Sequence, residues 1–226
     1  MAKINIFWFR RDLRLEDNAG LYHALSSQFP VLPLFIFDSE ILDKLENRKD
    51  ARVEFIHNSL TELNNKLNAA GTNLLVKHGN PIAAWKELLA EYDIGEVFTN
   101  SDYEPYAIDR DSKIKELLAE RQVGFNTFKD HVIFEKDEVR KQDGKPYTIY
   151  TPYSKVWRAQ LRDSDVKAFY SEKLSANFLK RTNEELPSLE KIGFKPAGIE
   201  FPSKELPVNI IKNYDSTRDI PSVNGT

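Results

Sequence analysis

The chain has 226 residues, 41% of them hydrophobic and 30% charged, with a formal net charge of −3 at pH 7. That is enough for one large domain with a buried core, and the acidic balance speaks against a strong nucleic-acid binder, because phosphate neutralisation requires a basic face. The absence of cysteine excludes disulfides, thiolate catalysis and cysteine-ligated zinc. Arg10 and Arg11 interrupt the first apolar run too early for a cleavable signal or a membrane span, so a cytoplasmic location without membrane contact is expected.

Lys3 to Phe9 reads as a first strand, an apolar run suited to burial on both faces. It switches abruptly to the charges Arg10, Arg11, Asp12 and Arg14, and Asp17 or Asn18 can cap the helix predicted over Ala19 to Ser26. Val31 to Phe37 is a second strand, ending at Asp38. Ala51 to Leu67 carries Val53, Phe55, Ile56, Leu60, Leu63 and Leu67 at helical spacing behind Asp50 as cap, with Gly71 as terminator. Asn73 to Lys77 is strand three. Asn80-Pro81 opens a helix that runs to the region of Tyr92 and Gly95. Glu96 to Asn100 is strand four, Glu104-Pro105 starts a helix reaching about Arg121, and Gly124 to Lys129 is strand five. Five alternations of strand and helix predict an α/β fold: a Rossmann-like five-stranded parallel sheet with helices on both faces.

Beyond His131 the pattern changes. Asp143-Gly144 marks a turn, and Thr151-Pro152 starts a short helix with Val156, Trp157 and Leu161. Asp163 to Pro207 is rich in proline and charge and low in periodicity, and reads as a long connector. Leu206 to Lys212 reads as a helical turn.

Motifs of acid–base, nucleophilic and phosphate-loop chemistry are missing. There is no Gly-x-Gly-x-x-Gly, no P-loop and no Gly-x-Ser-x-Gly. His23, His57, His78 and His131 are scattered without metal-ligand spacing. No catalytic residue and no metal site is assigned. The strand ends are more informative, since ligands of open α/β sheets sit beyond the carboxyl ends of the strands. There the chain places Arg10-Arg11, Phe37-Asp38 and Asn100-Ser101-Asp102-Tyr103-Glu104. Positive charge, an aromatic face and carboxylates suit a planar polar heterocycle. Plain caps explain the same residues: Asp38 ending a strand, Glu104 preceding Pro105.

Four stretches resemble the DNA photolyase/cryptochrome family. Trp8-Phe9-Arg10-Arg11-Asp12-Leu13-Arg14-Leu15-Glu16-Asp17-Asn18 looks like its N-terminal signature. Asn100 to Tyr106 with Asp109-Arg110-Asp111 is similar to its stretch after strand four. Tyr150-Thr151-Pro152-Tyr153-Ser154-Lys155-Val156-Trp157 resembles its interdomain motif. Arg218-Asp219-Ile220-Pro221 with Gly225-Thr226 resembles its entry into the flavin domain. The Arg-Arg-Asp-Leu-Arg wording looks more like microbial class I, cyclobutane-dimer photolyases than animal cryptochromes.

The resemblance implies an antenna-chromophore domain over residues 1–135, an interdomain connector over 136–213 and, over 214–226, the start of a helical FAD domain that this fragment otherwise lacks. The full protein would be a deoxyribodipyrimidine photo-lyase, repairing cyclobutane pyrimidine dimers in UV-damaged DNA with light and FAD. The alternatives are a cryptochrome photoreceptor and a free-standing flavin- or nucleotide-binding module. Residue by residue, Ile36, Phe37, Asp38, Arg52, Asp102 and Glu104 match positions lining the light-harvesting chromophore in the deazaflavin-binding branch. Tyr106 and Ala107 stand where a folate-binding branch has Asn-Glu, so deazaflavin or FMN is expected over folate. Tyr214 and Thr226 match early FAD contacts and Arg218 a DNA contact, all three expected to be idle in the fragment. Trp8, Trp85 and Trp157 are not the family's electron-transfer tryptophans; Trp8 and Trp85 read as core residues. The oligomeric state is not legible.

Overall fold

The computed structural model describes residues 2–181, 185–201, 205 and 207–223. By internal contacts the chain forms two units, residues 1–196 and 197–226. The first is an α/β body of five strands: β1 Ile4–Phe9, β2 Val31–Asp38, β3 Leu75–Gly79, β4 Ile94–Asn100 and β5 Gly124–Phe128. The helices are α1 Ala19–Leu25, α2 Ser39–Leu42, α3 Ala51–Ala69, α4 Pro81–Glu91, α5 Pro105–Ala119 and α6 Tyr150–Gln160. Strand order is β3-β2-β1-β4-β5 and every pairing is parallel. The expected Rossmann-like α/β sheet is what the chain forms.

β1 is central, which is why it is apolar throughout: all six residues are buried. Its side chains alternate between the faces. Phe7 and Phe9 join Phe35, Phe37, Leu60 and Leu63 in the core beneath α1 and α3. Ile6 and Trp8 join Leu34, Ile36, Trp85 and Ile114 beneath α4 and α5. The sheet reverses winding direction between β1 and β4, so a crevice opens at their carboxyl ends.

Two sequence expectations shift. β3 starts at Leu75, two residues later than the strand expected from Asn73. Thr72, Asn73 and Leu74 are buried ahead of the ladder, and the Asn64 side chain accepts the Leu74 N–H at 2.8 Å. Asn64 therefore takes an inward place on α3, while Phe55 points outward at 49% exposure.

The segment after α6, up to Phe194, packs into the α/β body despite its irregular sequence. Ser171 Oγ donates to the Leu15 carbonyl at 2.6 Å and accepts the Asn18 N–H at 3.1 Å. Leu179 N–H donates to the Val31 carbonyl at 2.8 Å, and Phe178, Leu189, Ile192 and Phe194 enter the core under α1 and α3.

The second unit contains two short helices, α7 Val208–Lys212 and α8 Tyr214–Thr217, with no buried residue. Tyr214 and Arg218 are both exposed, and Arg218 Nε lies 3.7 Å from Asp219. Thr226 lies outside the described residues, as does Leu206 at the predicted start of α7.

Candidate functional site: a cavity at the strand ends

A cavity of about 440 Å³ lies over the carboxyl ends of β1 and β2. Its floor is apolar: Trp8 and Phe9 from β1, Ile36 and Phe37 from β2, and Val53 and Ile56 from α3. Polar groups enter from the loops after β1 and β4 and from α5. A mostly apolar pocket with a few fixed polar groups is the usual form of a small-molecule site.

The loop after β1 is held by a buried network. Asp12 accepts the Arg10 N–H at 3.0 Å and the Asn18 Nδ2 at 3.2 Å. Asn100, the last residue of β4, donates to both Asp12 and Asn18 and accepts the Gly20 N–H at 2.8 Å. Arg10 is thereby aimed at the crevice, where its guanidinium bonds Asp111 and the Asn100 carbonyl.

Arg110 comes from α5. Its side chain is 8% exposed, pairs with Asp111 at 3.0 Å and stands 3.6 Å from Asp38. The guanidinium lies 4.8 Å from the Trp8 ring centroid, so the pair also has cation–π character. One turn earlier on the same helix face, Tyr106 donates its hydroxyl to Asp38 Oδ2 at 2.7 Å. Burial first, and then this bond, hold the Tyr106 phenol above its ordinary value. It stays protonated and keeps donating. Asp38 also caps α2, accepting the Glu40 N–H at 2.9 Å, so it serves as cap and cavity wall at once.

The mouth is charged. Arg11, 57% exposed, donates from Nε to Asp102 at 3.1 Å and sits 3.8 Å from Glu104. Burial pushes the Asp102 carboxyl up, but the Glu104 N–H together with Arg11, Arg10 and Arg110 outweighs it, and the group ends below the usual carboxylate range. Glu104 occupies the N-cap place of α5 without a side-chain capping bond.

The fold thus brings Ile36, Phe37, Asp38, Asp102 and Glu104 to one cavity. Arg52 is not among them. It is 73% exposed and folds back onto Asp50, its own helix cap, at 2.6 Å, while Val53 and Ile56 turn toward the cavity. Trp8, Tyr106 and Arg110 line the cavity without having been assigned to it from the sequence. The i, i+4 spacing of Tyr106 and Arg110 was the available signal. Lys44 adds a cation beside Tyr106, 5.6 Å from its ring.

The profile of the DNA photolyase family matches residues 5–172, most of the α/β body. This chain belongs to the DNA photolyase family. A deoxyribodipyrimidine photo-lyase of a Synechococcus species is 31% identical over 243 aligned positions, covering all of this chain and 50% of the relative. Cryptochrome-2 of Arabidopsis thaliana is 33% identical across 69% of this chain and 25% of its own length. Among solved structures, a class III photolyase from Agrobacterium tumefaciens superposes with a TM-score of 0.69 at 24% identity, covering 96% of this chain and 42% of that one. The archaeal photolyase from Sulfolobus tokodaii, solved with two FAD molecules and described as implying a novel light-harvesting cofactor, gives 0.56 at 29% identity over 76% and 41%. This family member spans about half the length of the curated relatives it matches.

Proposed function

We propose that this photolyase-family chain is the light-harvesting cofactor domain of a class I deoxyribodipyrimidine photo-lyase, and that the cavity over β1 and β2 holds a deazaflavin or FMN in preference to a folate. The observation that carries the reading is the cavity itself. It is an apolar slot whose Trp8 indole is flanked by two guanidiniums, Arg110 at 4.8 Å and Arg10 at 5.2 Å.

The donor set fits such a group. Buried charge is balanced internally, since Asp38 and Asp111 stand against Arg10 and Arg110. The interior therefore asks for a ring of little net charge, with Ile36, Phe37 and Ile56 packing its faces. Lys44 at the mouth suits an acidic tail, Arg11 being held by Asp102 and Glu104. When bound, the group supplies absorption of near-ultraviolet or blue light. The chain's residues orient it, exclude water and fix its hydrogen bonds.

The rest of the proposal concerns the whole polypeptide: cytoplasmic, light-driven repair of cyclobutane pyrimidine dimers in DNA through FAD. Flipping the lesion out of the stack is the step a DNA-bound enzyme needs to reach those bases. Tyr214, Thr226 and Arg218 carry FAD and DNA roles only within that whole, and this chain alone should show no repair. A cryptochrome role is the second reading, favoured by the 33% identity to a cryptochrome.

The test is a fluorescence titration of the purified chain with FMN, a deazaflavin and a methenyl folate. Saturable binding of the first two and not the third is expected, with loss of binding in the Asp102→Ala, Glu104→Ala double variant. Unchanged affinity in that variant, or preference for the folate, would refute the assignment.

A further inference from the structure

A second cleft, about 480 Å³ in volume, opens beside the end of β5 and shares no lining residue with the first. Its walls are α1, the loop 129–133 and the turn around 163–169.

One wall is aromatic. Phe98, Phe128 and His23 stand nearly parallel, with centroids 6.1 and 4.4 Å apart and interplanar angles of 11° and 12°. The stack runs from the core out to the cleft, and Phe169 lies 5.7 Å from His23. Burial holds the His23 imidazole below its ordinary value, so near neutral pH it stacks as an uncharged ring. Two aliphatic side chains of the cleft, Val132 and Val166, remain 43% and 57% exposed. A flat ring between the aromatic and aliphatic walls would cover them.

The frame is fixed from inside. Asp130, whose side chain is 3% exposed, accepts both Arg14 at 2.8 Å and the Ala19 N–H at 3.0 Å. Asp17 adopts a left-handed backbone, φ 47°, and accepts the Phe169 N–H at 2.8 Å. A non-glycine residue held there costs conformational energy, and such positions concentrate at ligand sites.

Charge narrows the ligand. Arg14 is engaged by Asp130 and Lys129 by Glu138, at 2.9 Å. Lys167 has no ion-pair partner among the described residues. Asp17 and Asp165 add negative charge to the lining, each accepting a backbone N–H. Lys167 can meet one acidic group, while the Asp17 and Asp165 carboxylates disfavour a polyanion such as a DNA strand. We infer that the cleft is a second ligand site, separate from the chromophore cavity, which takes a planar heteroaromatic ring bearing one anionic substituent, as a purine mononucleotide does.

The probes are AMP, adenosine and inorganic phosphate, followed by NMR of the His23 and Phe128 ring resonances. AMP should shift both saturably, adenosine should bind several-fold more weakly, and phosphate alone should leave the rings unmoved. Lys167→Ala, an exposed change, should weaken AMP about fivefold and leave adenosine unchanged. His23→Ala should abolish both, and the Asp102→Ala, Glu104→Ala variant should bind AMP normally. No saturable shift up to about 10 mM, equal affinity for AMP and adenosine, or AMP shifts lost in the Asp102, Glu104 variant would overturn the inference.

Discussion

Tyr106 and Asp38 meet across the strand ends, the phenol donating to Oδ2 at 2.7 Å, and the bond joins α5 to the last residue of β2. Tyr106→Phe removes the donor but leaves Asp38 with the Glu40 N–H and Arg110. The expected cost in denaturant unfolding is about 1 kcal/mol. Arg110→Ala is harsher, because it leaves the buried Asp38 carboxylate without its counter-charge and Asp111 with Arg10 alone. About 3 kcal/mol is expected. Equal costs for the two variants would mean that Arg110 does not organise the network.

Arg52→Ala should do nothing to ligand binding. The side chain is exposed and bonded to Asp50, away from the cavity. FMN or deazaflavin affinity should match the unsubstituted chain, and a loss of tenfold or more would return Arg52 to the site.

The acid limb of stability should report on Asp102. Its carboxyl is depressed in the folded chain, against burial, by the Glu104 N–H and by Arg11, Arg10 and Arg110. A depressed carboxylate contributes stability that is complete above its unfolded pKa and is lost as pH falls through the folded one. The loss belongs below about pH 4. Arg11→Ala removes one nearby positive charge, so the Asp102 titration followed by NMR should move upward and the acid limb should become shallower. An unmoved titration would show that Arg11 is screened by solvent at the mouth.

The sheet was legible because a central parallel strand is buried on both faces and must be apolar throughout, as Ile4 to Phe9 is. That Asp38 and Asp102 would line one cavity was legible because ligands of open α/β sheets sit beyond the carboxyl ends of the strands. Arg52 was misleading as a cavity residue: it stands in the first turn of α3 and its guanidinium folds back on the cap Asp50, so the helix reaches the cavity through Val53 and Ile56 instead. Tyr106 and Arg110 acquire their partners, Asp38 and Trp8, only when the fold brings their side chains to the ends of β1 and β2. The packing of Phe178, Ile192 and Phe194 was hidden for a different reason. These are single anchors at irregular intervals, and no periodicity announces them.

Gly20 is a close-approach glycine. A Cβ there would lie 2.6 Å from Asn100 Oδ1 and 2.9 Å from the Phe7 ring. Asn100 cannot retreat without releasing Asp12 and Asn18, to which it donates. Gly20→Ala should therefore cost about 2 kcal/mol, although alanine is the better helix former. A stabilised variant would mean that the Asn100 network relaxes freely.

α6 should be the least protected helix of the first unit. It has 11 residues, none of them buried, and its Trp157 meets Phe134 at 5.5 Å between ring centroids. Isolated helices of this length are marginal in water, and Thr151-Pro152 near its start supplies no side-chain cap. Backbone amides across 154–160 should exchange with solvent orders of magnitude faster than those of β1, whose neighbours pair it on both sides. Phe134→Ala should speed that exchange further and leave β1 untouched. Protection in α6 equal to that of β1 would show that the helix is covered in solution by a second molecule, which dilution would then remove.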